Sequence, residues 1–259
     1  MSTPVPSDTP ALIAAHMRAA AARKQGGKVG PFTIGLDERS SDPMRNFAVP
    51  DDGTVPSATD ISALVAFFRD HDRIPRLEYV EASSPGVTPA LLTAGFTVEA
   101  RTPVMVSASG RPLTPRQPAG ITVREAADEA DLAAAAAVQH HAYQVPSPPG
   151  PADIARLRAT AARGGVVTVA VAIGSGSVVG TGLVDVPGPG AGTGELAAVG
   201  VLTAFRRRGI ASAVSAHLAR TAHARGVRLV FLEAEPREEG VYRRTGFADV
   251  TAKIWLSLR

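Results

Sequence analysis

The sequence predicts an α/β protein made of two successive units, the first of them shortened, and three observations predict it. Short apolar runs alternate with helix-patterned segments along the chain. The two halves echo one another: RLEYVEA (from Arg76) sets on RLVFLEA (from Arg228) with an offset of 152, and Gly95-Phe96 sets on Gly246-Phe247 with an offset of 151. The third is the stretch from Glu195 to Phe247. It runs as an apolar strand, three arginines, a glycine opening an amphipathic helix, a second apolar strand, and a short helix holding Tyr242 that closes on Gly246-Phe247.

In chain order, residues Met1 to Pro10 are rich in Pro, Ser and Thr and are expected to be loose. Ala11 to Lys24 is helix-forming, with Leu12, Ile13 and Met17 at helical spacing, and Gly26-Gly27 is expected to end it. The runs PFTIGLDE and RNFAVP are strand-like fragments. Asp60 offers an N-cap for a helix whose apolar face is Ile61, Leu64, Val65 and Phe68. Then come a strand from Arg76, a helix-like PALLTAGF and a strand TVEARTPVMVS. Ala108 to Gly120, with three prolines and two glycines, reads as a linker.

The second half restarts with the strand ITVREA. Asp128 or Asp131 stands near the start of an Ala-rich helix that ends around His141 and Tyr143, and VPSPPGP breaks it. A helix follows from Ala152 to Arg163. GVVTVAVAIG and SVVGTGLVDV, joined by a Gly-Ser turn, read as an antiparallel hairpin. After the stretch from Glu195 to Phe247 the chain runs on as the strand ADVTAKIWLSL. The expected division is residues 1–116 and 117–259.

Composition narrows the function. A chain of 259 residues, 45% hydrophobic and 20% charged, can bury a proper core. The formal net charge is only +3, and residues 1–116 are balanced at 12 basic and 12 acidic, so the whole excess equals Arg206, Arg207 and Arg208. That is far from the basic surplus of a dedicated nucleic-acid binder. The absence of cysteine excludes disulfides, thiolate metal sites and an acyl-cysteine intermediate. No His pair has convincing metal spacing with a third ligand, so no metal is expected. No apolar run approaches the roughly 20 residues of a membrane span, and the secretory-signal pattern is missing, so the expectation is a cytoplasmic protein with no membrane partner.

The arginine triplet breaks a local rule. A helix N-terminus carries about +0.5 of a charge, so cations there are unfavourable by several tenths of a kcal/mol each. An anion resting on the free N–H groups of Gly209, Ile210, Ala211 and Ser212, flanked by Arg206, Arg207 and Arg208, removes the conflict, and Gly209 lets the backbone approach closely. The bland alternative is a solvated basic loop.

Arg206-Arg207-Arg208-Gly209-Ile210-Ala211, preceded by Val199-Gly200-Val201 and followed by Val241-Tyr242-Arg243-Arg244-Thr245-Gly246-Phe247, resembles the motif set of the GNAT superfamily of acyl-CoA-dependent N-acetyltransferases. The resemblance covers residues 121–259, and the first half only through the internal repeat. It implies a mixed, mostly antiparallel sheet flanked by helices, preceded by a truncated copy of the same fold.

For function it implies acetyl-CoA as co-substrate, with its pyrophosphate on the loop and helix start from Arg206 to Ser212. The pantetheine arm would pair with backbone at Val199 to Val201, where a strand N–H would polarise the thioester carbonyl. An acceptor amine would attack directly in a ternary complex, and Tyr242 would protonate the departing thiolate. A phenol near pKa 10 is roughly matched to a thiol of about 8.5 without a large shift. The alternative for Tyr242 is that its ring merely covers the Gly-Phe turn.

Glu195 is the candidate base: it has the period-2 parity of Val199 and Val201, so without a bulge it shares their face, and a bulge would change that. Glu233 and Glu235 could contact the acceptor instead, and Glu235 stands where the family commonly has asparagine. His140, His141 and Tyr143 are candidates for shaping the acceptor pocket, Arg244 for the 3′-phosphate, and His217 and His223 face neighbours or solvent.

By the repeat, Leu91 stands where Tyr242 stands and Pro56-Ser57-Ala58 where the Arg/Gly loop stands. The first unit should therefore not hold CoA, leaving it to extend the sheet, wall the acceptor pocket or mediate a homodimer. The reading is an N-acetyltransferase acting on a primary amine. A non-catalytic acyl-CoA sensor on the same fold is the alternative, and a nucleic-acid binder using the triplet a third.

Overall fold

The computed structural model describes residues 6–38, 40–108 and 117–259. Residues 1–5 of the stretch expected to be loose, and residues 109–116 of the expected linker, lie outside the described residues. The chain forms two compact units: Met105–Ala248, and Val5–Val104 together with Asp249–Arg259.

The first half of the chain runs α1 (Thr9–Ala22), β1 (Gln25–Val29), β2 (Phe32–Leu36), β3 (Phe47–Pro50), α2 (Ala58–Asp70), β4 (Arg76–Val80), α3 (Val87–Thr93) and β5 (Thr97–Ala108). The second runs β6 (Ile121–Glu125), α4 (Glu129–Ala142), α5 (Pro151–Ala162), β7 (Val166–Ala172), β8 (Val178–Asp185), β9 (Thr193–Val201), α6 (Ile210–Ala224), β10 (Leu229–Glu233), α7 (Glu239–Arg244) and β11 (Ala248–Ser257).

In the smaller unit β1, β2 and β3 pair antiparallel, and β3 then pairs parallel with β4 at Ala48↔Leu77. β11 lies antiparallel on β4, from Lys253↔Val80 to Ser257↔Arg76. Buried charges fix this register. Arg76, with 0% of its side chain exposed, is bonded to Glu78 and, at 2.9 Å, to Glu99, and Lys253 reaches Glu78 at 2.9 Å. Arg76 also lies 5.0 Å from the Trp255 ring centroid. Paired in this way the charges avoid the penalty of lone buried ions.

Two local readings of this unit change. Gly26 and Gly27 belong to β1 and do not end the helix, which already stops at Ala22. A Cβ on Gly26 would lie 2.9 Å from Ile34 of the facing strand, so glycine is required by the close crossing. The N-cap of α2 is Ser57, and Asp60 is its third residue. The Ser57 hydroxyl accepts from the Asp60 N–H at 3.1 Å while the Asp60 carboxylate accepts from the Ser57 N–H at 2.9 Å, a capping box.

In the larger unit β6, β7, β8 and β9 pair antiparallel in sequence, and β9 pairs parallel with β10. α6 packs on one side of this sheet. Its Ile210, Val214 and Leu218 are buried, each contributing about 1.5–3 kcal/mol on transfer from water. The helix comes close because β8 offers glycines: a Cβ on Gly180 would meet Ile210 at 2.8 Å, and one on Gly182 would meet Leu218 at 2.9 Å. On the other side Leu132, Ala135 and Ala136 of α4 and Leu157 of α5 pack on Val167, Val169 and Leu183. Asp128 is the N-cap of α4, accepting from the Asp131 N–H at 2.9 Å, which settles which of the two aspartates starts the helix.

The internal repeat is visible in geometry. β1-β2-β3-β4 and β7-β8-β9-β10 share the order antiparallel, antiparallel, parallel. The short helices also end alike. Phe96 N–H donates to Leu91 O at 3.0 Å and Phe247 N–H to Tyr242 O at 3.1 Å, after glycines of φ +89° and +93°.

Candidate active site

The site begins where β9 leaves its neighbour. Its parallel ladder with β10 runs from Leu229↔Thr193 to Phe231↔Glu195 and ends there, while β9 continues to Val201. On its other edge the register with β8 shifts: Leu183 faces Ala197 but Thr181 faces Gly200. Three residues on β9 therefore span two on β8, a β-bulge, with Ala198 at φ +54°.

The bulge decides the parity question. Val199 comes against α6, within 3.1 Å of a Cβ placed on Gly182, whereas a Cβ on Gly200 would sit 2.8 Å from Ala142 of α4. Glu195 lies directly across from Asp185, in the row of Leu183 and Ala197 that packs with α4. The expectation that Glu195 shares a face with Val199 and Val201 held only for an unbulged strand, and here Glu195 is on the α4 side.

Beyond Val201 a single 3-10 turn (Thr203–Phe205) leads into the arginines. The three do different things. Arg206 Nε donates to the Val201 carbonyl at 3.1 Å, tying the loop to the strand end, and Arg208 lies 5.1 Å from the Phe205 ring centroid. Arg207 occupies the left-handed region at φ +64°, a conformation costing a non-glycine residue on the order of 1–2 kcal/mol.

Gly209 follows at φ +79° as the N-cap of α6, and no side chain caps the helix. The first intrahelical bond is Ala213 N–H to Gly209 O at 3.0 Å, so the N–H groups of Ile210, Ala211 and Ser212 precede it. A Cβ on Gly209 would meet nothing within 4 Å. Open space, uncapped N–H groups and exposed arginines together suit an anion of phosphate chemistry, so these residues fit the pyrophosphate of CoA. The matching helix start in the first half, α2, has its Asp60 N–H taken by the Ser57 hydroxyl and a carboxylate already in place at Asp60.

Tyr242 sits in α7, 7% exposed, its ring edge-on to Phe247 at 6.1 Å between centroids. The ring does cover the Gly-Phe turn, while the phenol is perturbed. Burial first, then Glu238 and the hydroxyl of Tyr143, push its pKa well above the ordinary tyrosine value. The thiol match argued from an unshifted phenol near 10 therefore does not hold in the free protein: this phenol keeps its proton more strongly. Glu238 is itself raised by burial and by Glu235, against a lowering by Arg237. Tyr143, at the C-cap of α4, is 58% exposed by surface area, yet the protein bulk around its phenol, and then Glu238 and Glu235, raise its pKa.

The two histidines beside Tyr143 are engaged in structure. His140 contacts the Ser147 carbonyl at 2.8 Å and Asp153 at 3.4 Å, pinning the loop between α4 and α5. The His141 ring meets the Thr203 hydroxyl at 3.1 Å, joining the end of α4 to the turn before the arginines. Burial lowers the pKa of His217 and of His223, and His223 spans the Val227 carbonyl at 2.7 Å and the Ser107 hydroxyl at 3.2 Å. Arg244 is exposed and folds back along α7, its guanidinium 3.2 Å from where a Cβ on Gly240 would be. Glu235 is 2.8 Å from Arg237. The sequence reading missed Glu238, although its place four residues before Tyr242 puts it on the same helical face. Among the described residues no group of three His, Asp or Glu is placed to hold a metal, and no helix is long and apolar enough to cross a membrane.

Residues 133–247 match the model of the acetyltransferase (GNAT) family. No curated protein matches the chain. Among solved structures, the chain is similar to a GCN5-related N-acetyltransferase from Kribbella flavida, at 26% identity over 96% of this chain and 95% of that one, with a TM-score of 0.77. It is also similar to a GCN5-related N-acetyltransferase from Sphaerobacter thermophilus, at 27% identity over 73% of this chain and 62% of that one, TM-score 0.58. A tandem GNAT protein from the clavulanic acid biosynthesis pathway shares the fold at 16% identity, 88% and 78% coverage and a TM-score of 0.62.

Proposed function

Residues 133–247 form a domain of the acetyltransferase (GNAT) family, and from that premise we propose that the protein transfers an acetyl group from acetyl-CoA to a primary amine within a ternary complex. The observation that carries the proposal is the open, uncapped start of α6 behind Gly209, beside the edge where the β9–β10 ladder ends and in the same unit as a buried phenol. In this reading residues 117–259 are the catalytic half. Residues 1–116 are a degenerate copy that does not hold the co-substrate, consistent with its self-capped α2 and with Leu91 in place of a phenol.

The thioester supplies the activated acyl group, and this chain supplies position and protons. The N–H groups of Ile210, Ala211 and Ser212 with Arg207 and Arg208 bind phosphate. Backbone at Val199 to Val201 aligns the pantetheine arm, and a N–H at the bulge polarises the carbonyl. Glu195, on the α4 side, accepts a proton from the acceptor ammonium. As the new C–N bond forms and the C–S bond breaks, the Tyr242 proton passes to sulfur. The second amine proton restores the phenol, and the proton held by Glu195 leaves to water.

The test is thiol release from acetyl-CoA across an amine panel, with Tyr242→Phe alongside. Amine-dependent release that falls by roughly 10²-fold or more in the variant supports the reading, since a positioned acid contributes about 10²–10⁴-fold. CoA binding without amine-dependent release would instead make the protein an acyl-CoA sensor, and no CoA binding would end the proposal.

A further inference from the structure

We propose that the smaller unit carries a ligand site of its own, a pocket floored by Arg76 and Trp255 that takes a small aromatic carboxylate. Such a site is separate from the acetyltransferase reading and stands or falls without it.

The sheet register builds the pocket. Across β4 and β11, Ser257 faces Arg76 and Trp255 faces Glu78, so these side chains share one face of the sheet. Around them lies a pocket of about 470 Å³, within the roughly 300–1,000 Å³ of small-molecule sites. Pro43, Met44, Ala100 and the half-buried Trp255 ring line it with apolar surface, and Arg76, Glu99 and Arg259 supply its charge. All of these residues belong to the smaller unit. The pocket is not a worn copy of the co-substrate site. On the way into α2 the Asp51 carbonyl accepts from the Ser84 hydroxyl and the Gly53 N–H donates to the Ser83 carbonyl, both beyond the C-terminal end of β4, whereas Arg76 begins that strand.

Two donors among the lining residues point to a ligand. Arg76 donates from Nε to Glu99 at 2.9 Å and from Nη1 to Glu78 and the Pro43 carbonyl, but the acceptor of Nη2 among the described residues is the Met44 thioether at 3.4 Å. Sulfur is a weak acceptor and Met44 is 49% exposed, so its side chain can swing aside and leave a guanidinium N–H to an anionic oxygen. The Trp255 indole N–H is also buried with no hydrogen-bond partner among the described residues, and such donors are rare. The local charge favours an anion. Among these side chains Arg76, Lys253 and Arg259 stand against Glu78 and Glu99, whose carboxylates already have partners: Lys253 reaches Glu78 at 2.9 Å, and Arg259 lies 3.9 Å from Glu99. A single positive charge in excess suits a carboxylate better than a phosphate dianion, and a flat indole suits an aromatic ring.

The chain has a single tryptophan, so quenching of its fluorescence reports this pocket while calorimetry on the full chain gives the Kd. 3-Phenylpropanoate should bind and quench. 3-Phenylpropanamide, which keeps the ring without the charge, should bind about tenfold weaker or more, the equivalent of one charge-assisted contact. Propanoate, which keeps the charge without the ring, should also lose about tenfold or more. Met44→Glu brings a carboxylate to Arg76 Nη2 from an exposed position. It should weaken 3-phenylpropanoate about tenfold or more with no loss of thermal midpoint. Arg259→Gln, at an exposed side chain, should weaken the acid about two- to fivefold and leave the amide unchanged. Saturating CoA should leave the Kd of the acid unchanged within about twofold, because an acid held at the start of α6 would be displaced. No binding of 3-phenylpropanoate, binding without quenching, equal binding of acid and amide, an affinity unchanged in Met44→Glu, or displacement by CoA would overturn the site, whatever the fate of the acetyltransferase reading.

Discussion

Replacing Gly209 by alanine separates two jobs that one glycine could do. At φ +79° any L-residue is strained, and a left-handed conformation costs a non-glycine residue about 1–2 kcal/mol. Nothing lies within 4 Å of the added Cβ, so strain is the whole folding cost. For a unit of this size 1 kcal/mol lowers the midpoint by about 2–4 °C, so thermal unfolding should shift by roughly 2–8 °C. If phosphate also lies on this backbone, the methyl group enters the space that it needs and the CoA affinity falls by about tenfold or more. Calorimetric titration with CoA, run beside thermal unfolding, reads both. A lowered midpoint with the CoA Kd unchanged within twofold would refute the reasoning: the glycine would serve the turn alone and the anion would bind elsewhere.

Because burial and Glu238 hold the Tyr242 pKa above the ordinary value of 10 in the free protein, the alkaline limb of kcat/KM should lie above about pH 10 in the wild type. Glu238→Gln should move it down. Gly200→Ala puts a Cβ 2.8 Å from that of Ala142, so the last turn of α4 must move, at about 1–3 kcal/mol for overpacking, read as a lower urea midpoint. Ser57→Ala removes the cap of α2 and should cost about 1 kcal/mol with no change in CoA affinity. Asp131 is held below the usual carboxylate range by Arg124, at 2.9 Å, and by the Ala127 N–H. Its contribution is therefore present above the unfolded pKa of about 3.9 and is lost as pH falls through the folded value. Urea midpoints of Asp131→Asn should trail the wild type at pH 7 and converge with it near pH 2.

Local chemistry was legible wherever a residue's own backbone preference does the work. Gly209, Gly95 and Gly246 each mark a left-handed turn, and each has φ between +79° and +93°. The stretch from Glu195 to Phe247 formed the elements its pattern implied because apolar period and helix spacing are properties of neighbours in sequence. Mistakes arose where two readings fit one local pattern. Asp60 is as good a cap as Ser57 in isolation, and Gly26-Gly27 stops a helix as readily as it permits a close strand crossing. Glu238 drew no reading from the sequence, because its effect on Tyr242 acts through space from the N-cap of α7.

By itself the sequence determined the arginine and glycine loop before α6, the phenol before Gly246-Phe247, and a second, altered copy of the frame, since spacing along one chain carries all three. Only tertiary structure decided which face Glu195 takes. One extra residue in β9 reverses parity, and that depends on how β8 pairs with it. Tertiary structure likewise fixed the proton affinity of Tyr242, because burial and a carboxylate one helical turn away act through space. It also decided that Asp249–Arg259 completes the sheet of the first unit, where Arg76, Glu78 and Lys253 find one another across β4 and β11. No local pattern specifies such a partner, because a strand's propensity is the same for any edge that accepts it.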